Sequence, residues 1–136
     1  MEVVMNQVTK INPTTMKQPT RAYSNGIFVP KNADLLFVTG QLSQDSEGNV
    51  VAPNDMEGQT RFVFGQIGKI LEAAGMNFDD IVKLTIFVLD MENASCISKI
   101  RDEFCKNSKP ASSMFGVTGF IKSNCVIEIE AIAAKT

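Results

Sequence analysis

Residues 81–89, Ile-Val-Lys-Leu-Thr-Ile-Phe-Val-Leu, constrain the fold of this chain more than any other stretch. All but Lys83 and Thr85 are apolar, and β-branched side chains predominate. Such a run favours extended backbone and suits a central strand buried on both sides. A strand of that kind needs partners to pair with and helices to cover it. The sequence supplies both.

Upstream, Val63, Ile67, Ile70, Leu71 and Ala74 recur at helical spacing and make one apolar face. Asn54 is placed to cap this helix, and Glu57 three residues later completes a capping-box pattern. Gly75 is placed to end it in the left-handed conformation. Downstream, Asp90 can cap a second helix over residues 91–106, with Ile97, Ile100 and Phe104 facing inward. Pro110 stops any continuation.

Further strands are expected at residues 3–11, 23–29, 35–41, 112–120 and 125–134. The connection Pro30-Lys31-Asn32-Ala33-Asp34 has the composition of a hairpin turn. In the last strand Val126, Glu128 and Glu130 alternate with Ile127, Ile129 and Ala131. The order β-β-β-α-β-α-β-β predicts a single α+β domain spanning residues 1–136, one mixed sheet with two helices on one face. Two helices cannot cover both faces of a sheet. An apolar second face would therefore call for self-association.

Composition narrows the chemistry. The chain has no histidine, which excludes Ser-His-Asp and Cys-His nucleophile systems and an imidazole base. Proton transfer must then rely on carboxylates, Tyr23, lysines, a thiol or held water. The three cysteines, Cys96, Cys105 and Cys125, form no CxxC pair, so neither a disulfide framework nor a metal cluster is expected. A net charge of -2 with scattered lysines does not favour nucleic acid. No apolar stretch approaches the ~18 residues that span a bilayer, so no membrane partner is expected. Residues 1–13 carry polar groups throughout and do not read as a secretory leader. Reduced cysteines and a cytoplasmic location are the expectation.

The joint order of several short motifs resembles one family. They are Phe37-Val38-Thr39-Gly40-Gln41, Gln59-Thr60-Arg61, Ile70-Leu71-Glu72-Ala73-Ala74-Gly75 and Asp79-Asp80-Ile81-Val82-Lys83. Thr85-Ile86-Phe87-Val88, Asp90-Met91, Lys109-Pro110-Ala111 and Ile127-Glu128-Ile129-Glu130-Ala131 complete the set. From about Tyr23 onward the chain is similar to the Rid (YjgF, reactive-intermediate deaminase) family. The resemblance implies a chorismate-mutase-like α+β fold and a homotrimer with a ligand cleft between neighbouring subunits. It also implies hydrolysis of reactive enamines and imines to keto acids and ammonia, with no metal or organic cofactor.

Carried over by position, Tyr23 matches the family's pocket tyrosine, Thr39 and Gly40 its strand-end pair, and Glu128 its water-positioning glutamate. The family's carboxylate-binding arginine follows Pro-Ala. Here that place is Ser112. An arginine offers a rigid fork of charged donors, whereas serine offers one neutral hydroxyl. Losing a hydrogen bond to a charged group weakens binding by ~1.5–3 kcal/mol, roughly ten- to a hundredfold.

Ser98 and Arg101 also depart from the family pattern. They lie three apart on one helical face, among the positions expected to bind ligand. Arg21 or Arg101 could supply a relocated charge. The ordinary expectation is that both are solvated surface arginines. Glu130 reads as the polar face of its strand, Cys125 as buried packing, and Phe62 and Phe64 as core or subunit contacts. The functional expectation is metabolite binding in an intersubunit cleft, with Ser112 arguing against ordinary 2-imino acid deamination. The alternative is an imine or enamine hydrolase of altered or retained specificity.

Overall fold

A computed structural model describes residues 5–136. The elements are β1 (Thr9–Ile11), β2 (Gly26–Phe28), β3 (Asp34–Gln41), α1 (Met56–Ala73), β4 (Ile81–Val88), α2 (Ala94–Phe104), β5 (Ala111–Gly116) and β6 (Ile127–Lys135). Four strands form a mixed sheet in the order β3-β6-β4-β5. The β4–β5 pair is parallel, while β4–β6 and β3–β6 are antiparallel. Both helices pack on one face of this sheet.

The expected single sheet is divided. β1 and β2 pair with each other as a separate two-stranded sheet. The first strand is therefore shorter than expected, and Val3 and Val4 lie outside the described residues. The hairpin expected between β2 and β3 is not paired either. The chain turns at Pro30, whose carbonyl accepts from the Ala33 amide at 3.1 Å. β3 then pairs along β6, from Asp34 opposite Lys135 to Val38 opposite Ala131. The turn chemistry was legible, but the longer apolar partner decided the pairing. The strand expected over 112–120 ends at Gly116.

The core lies between helices and sheet. Leu84, Ile86 and Val88 of β4 and Ile127, Ile129 and Ala131 of β6 meet Val63, Phe64, Ile67 and Leu71 of α1 and Ile97 and Ile100 of α2. Phe64 stacks on Phe104 with ring centroids 4.8 Å apart, and Phe78 tilts against both. β4 is not buried on both sides as expected. Its helix face is sealed, but Lys83, Thr85 and Phe87 are only half-buried on the other. The bare face also carries Leu35, Phe37 (70% exposed) and Phe115.

Local signals set the helix ends with one correction. Asp55, not Asn54, caps α1, its carboxylate accepting from the Gly58 amide at 3.0 Å. A carboxylate suits the positive end of the helix dipole better than an amide. Asn54 instead takes a left-handed φ of 58° and bonds Asn124 through its side chain. Glu57 leans towards Arg61. At the other end, the Gly75 amide reaches the Glu72 carbonyl and the Met76 amide the Leu71 carbonyl, a Schellman pair. Asp90 caps a short 3₁₀ turn, Met91–Asn93, that leads into α2.

Gly75 has φ +71° and open space where a side chain would begin. Gly75→Ala therefore tests backbone strain alone. A loss of ~1–2 kcal/mol in urea unfolding is expected, with an unchanged slope. Undiminished stability would show that the left-handed turn is not what ends α1.

Candidate functional site

Two polar clusters stand out, and they lie on opposite faces of the main sheet. The first begins where β3 meets β6. Val38 pairs with Ala131 and Gln41 with Ile129, so β3 uses three steps where β6 uses two. The extra residue makes a bulge at Thr39-Gly40, which bends the strand end. The Glu128 side chain lies against Gly40. A Cβ at Gly40 would sit 2.9 Å from the carboxyl carbon of Glu128 and 3.1 Å from its Cγ. Only a glycine allows this approach.

Glu128 pairs across the sheet with Phe87, and Glu130 with Thr85. Both glutamates therefore point to the bare face, away from the core. Burial, and then the charge of Glu130, push the Glu128 carboxyl above its ordinary range. A cavity of about 400 Å³ opens on the same face, lined among others by Phe37, Thr39, Lys83, Thr85 and Glu130. The Lys83 ammonium donates to Ser113 Oγ at 3.1 Å. Lys83, Thr85 and Glu130 were not singled out as site residues from sequence. Alternation in β6 marked Glu130 only as a polar strand face, and Lys83 and Thr85 were the two polar exceptions in a strand expected to be buried on both sides.

The second cluster joins the loop before β2, helix α2 and the start of β5. Ser112 pairs with the buried Leu84, so it faces the helices rather than Glu128. Arg101 Nη1 donates to Ser112 Oγ at 3.3 Å. The Arg101 guanidinium lies over the Tyr23 ring, 5.6 Å from its centroid. Its Nε and Nη2 donate to Asp102 Oδ1 at 3.3 and 3.1 Å. Arg21 Nε donates to Asp102 Oδ2 at 2.8 Å, and the Ala22 amide to Oδ1 at 3.2 Å. Burial pushes the Asp102 carboxyl up, but the bonds from Arg101, Arg21 and Ala22 outweigh it and hold it below its usual range. Ser98 lies half-buried one turn earlier on α2.

The expectation that Arg101 is a solvated surface arginine is corrected here, since the residue is only 7% exposed. Position 101 follows Ile97 by one helical turn and so shares the inward face of α2. Arg21 is half-exposed but ion-paired rather than free. Asp102 was missed altogether. An acidic neighbour of Arg101 is visible in sequence, but its bond to Arg21 spans 81 positions. Among the described residues no hydrogen bond or ion pair connects the Arg101 cluster to Glu128.

Two of the three thiols are buried away from solvent. Burial pushes Cys105 up to about 12 and raises Cys125 as well, which keeps both thiols protonated. Among the described residues no group of His, Cys, Asp or Glu is placed to hold a metal ion. No helix is long and apolar enough to cross a membrane.

Comparison with known proteins adds the class. A family model described as Endoribonuclease L-PSP matches residues 14–135. A RutC family protein of Pyrococcus horikoshii is 36% identical over 118 residues, covering 87% of this chain and 90% of its own. A counterpart in Pyrococcus abyssi is 34% identical over the same share. The crystal structure of YyfB, a Rid-family protein of unknown function from Yersinia pestis, matches with a TM-score of 0.85 at 27% identity. That match covers 95% of this chain and 99% of that one. YyfA from the same organism matches at 32% identity and a TM-score of 0.69, over 94% and 99%. The chain belongs to the Rid (YjgF) family.

The raised carboxyl of Glu128 carries a sign that can be checked. The folded state binds this proton more tightly than the unfolded chain does. Its contribution therefore favours folding below the ordinary carboxylate range and is lost as pH rises through the raised value. Glu128→Gln is expected to raise the melting temperature at pH 7, with the gain shrinking below about pH 4. An equal shift at both pH values would mean that the charge of Glu128 is not what strains this site.

Proposed function

We propose that the chain assembles as a homotrimer and binds a small organic metabolite in clefts between neighbouring subunits, where it hydrolyses an imine or enamine C–N bond without a cofactor. One observation carries this reading. The Glu128 cluster and the Tyr23–Arg101–Ser112 cluster occupy opposite faces of one sheet, so they can enclose a common ligand when a second copy docks. The bare apolar face, with Leu35, Phe37 and Phe115 exposed, supports such docking.

In the proposed reaction a water held by Glu128 attacks the C=N carbon. Its oxygen forms the new C–O bond and its proton passes to the carboxylate. The protonated Glu128 then returns that proton to nitrogen, giving a carbinolamine. Glu128 next takes the proton of the new hydroxyl and passes it to the amine, the C–N bond breaks as the C=O bond forms, and a carbonyl compound and ammonia leave. An enamine first takes a proton on carbon to become the imine. The upward shift of Glu128 suits it to this exchange, because a base closer to neutral pH accepts a proton from water more readily. Thr39 and the open backbone at Gly40 border the space beside it.

A binding protein without turnover is the second reading, motivated by Ser112 at the position where the family resemblance implies an arginine. The family model is named for an endoribonuclease. A net charge of -2 gives that activity little electrostatic support.

Imines generated in solution from amino acids by an oxidase provide the assay. Ammonia release above the spontaneous rate is expected, and Glu128→Gln should lower it by about a hundredfold. Activity unchanged in that variant would remove the hydrolytic mechanism and leave the binding reading. Light scattering should find three chains per particle, and Phe37→Asp should release monomers, because it buries a charge at the docking face. A monomeric parent would sink the intersubunit cleft.

A further inference from the structure

We infer that Arg101, reaching from helix α2 to Ser112, is the anion-holding residue of the cleft, so that its ligand is a small carboxylate. This deepens the function proposed above and rests on its intersubunit cleft.

Three features of the cluster carry the inference. The first is charge. Arg21 and Arg101 share one carboxylate, Asp102, and among the described residues neither arginine has another acidic partner within salt-bridge distance. Two cations on one anion leave the cluster net positive, with Arg21 at its half-exposed rim and Arg101 against Ser112.

The second is donor accounting. A guanidinium has five N–H groups. Arg101 spends one from Nε and one from Nη2 on Asp102, and one from Nη1 on Ser112. Among the described residues two N–H groups remain, one on each terminal nitrogen. That is the number a carboxylate's two oxygens accept. Ser112 Oγ accepts from Arg101, so its own hydroxyl proton is free to join them.

The third is rigidity. Asp102 holds Nε and Nη2 while the Tyr23 ring lies against the guanidinium. A side chain held from two directions loses little freedom when an anion arrives. A merely structural arginine would be served by Asp102 alone.

The arrangement also explains why Ser112 need not abolish recognition of an acid. An arginine at position 112 would bring a second guanidinium against Arg101. The two positions exclude one another as cation donors, and here the helix supplies the cation.

Calorimetric titration with pyruvate and with its uncharged amide, pyruvamide, tests the inference, since the two differ mainly in charge. The parent should bind pyruvate ten- to a hundredfold more tightly. Arg101→Met should equalise the two affinities. Arg101→Lys should keep part of the preference, because it retains the charge but not the fork. Ser112→Arg alone should weaken pyruvate binding, whereas Ser112→Arg in the Arg101→Met background should restore the preference. That restoration is an outcome a misfolded variant cannot give.

Equal affinity of the parent for both compounds, no binding of pyruvate, or a preference that survives Arg101→Met would each overturn the assignment. The assay stays separate from the hydrolytic reading. Glu128-dependent turnover with no pyruvate preference would remove Arg101 from the site and leave the hydrolase standing. A pyruvate preference without turnover would do the reverse.

Discussion

The two-sidedness of the four-stranded sheet governs this molecule. Adjacent residues of a strand cannot share a face. In β6 this sends Ile127, Ile129 and Ala131 into the core and Glu128 and Glu130 out of it. In β5 it sends Ser112 and Met114 towards the helices and Ser113 and Phe115 away. The helices cover one face, so the other must stay wet or meet another protein surface. The core, the placement of Glu128 and the bareness of Phe37 follow from that one geometric rule.

Buried polar groups tie the irregular parts to this frame. Gln59 is fully buried on α1, donates to the Ala52 and Asn124 carbonyls and accepts from the Val126 amide. It thereby fixes the entry to β6 and, with it, the height of Glu128 beside Gly40. An unsatisfied amide there would cost about 1–3 kcal/mol, so the bonds specify the loop as well as stabilise it. Gly40 matters for a different reason. A bulge and a missing side chain let a carboxylate lie where a Cβ would otherwise stand.

The arginine cluster obeys another logic. Ion pairs withdrawn from water do not stabilise a fold by default, because desolvation opposes their attraction. Asp102 survives burial as a carboxylate because two guanidinium groups and an amide converge on it. Tyr23 and Ser112, from segments far apart in the chain, complete the contacts around Arg101. This is a built arrangement at the sheet edge, assembled from three separate segments.

The sequence by itself determined most of the elements and the sidedness of α1 and β6, though not that of β4. Helical spacing marked α1, alternation marked β6, and Gly75 and Asp90 marked boundaries, since these depend on residues a few positions apart. Asp55 took the cap from Asn54 because neighbouring candidates compete and the helix dipole favours the charged one. Tertiary structure alone decided that β3 pairs with β6 rather than β2, because that depends on which distant strand offers the longer apolar partner. It alone decided that Arg101 is buried and that Asp102 serves two arginines. Burial and charge sharing are properties of contacts between residues 21, 23, 101, 102 and 112, and no local pattern encodes a contact across eighty positions.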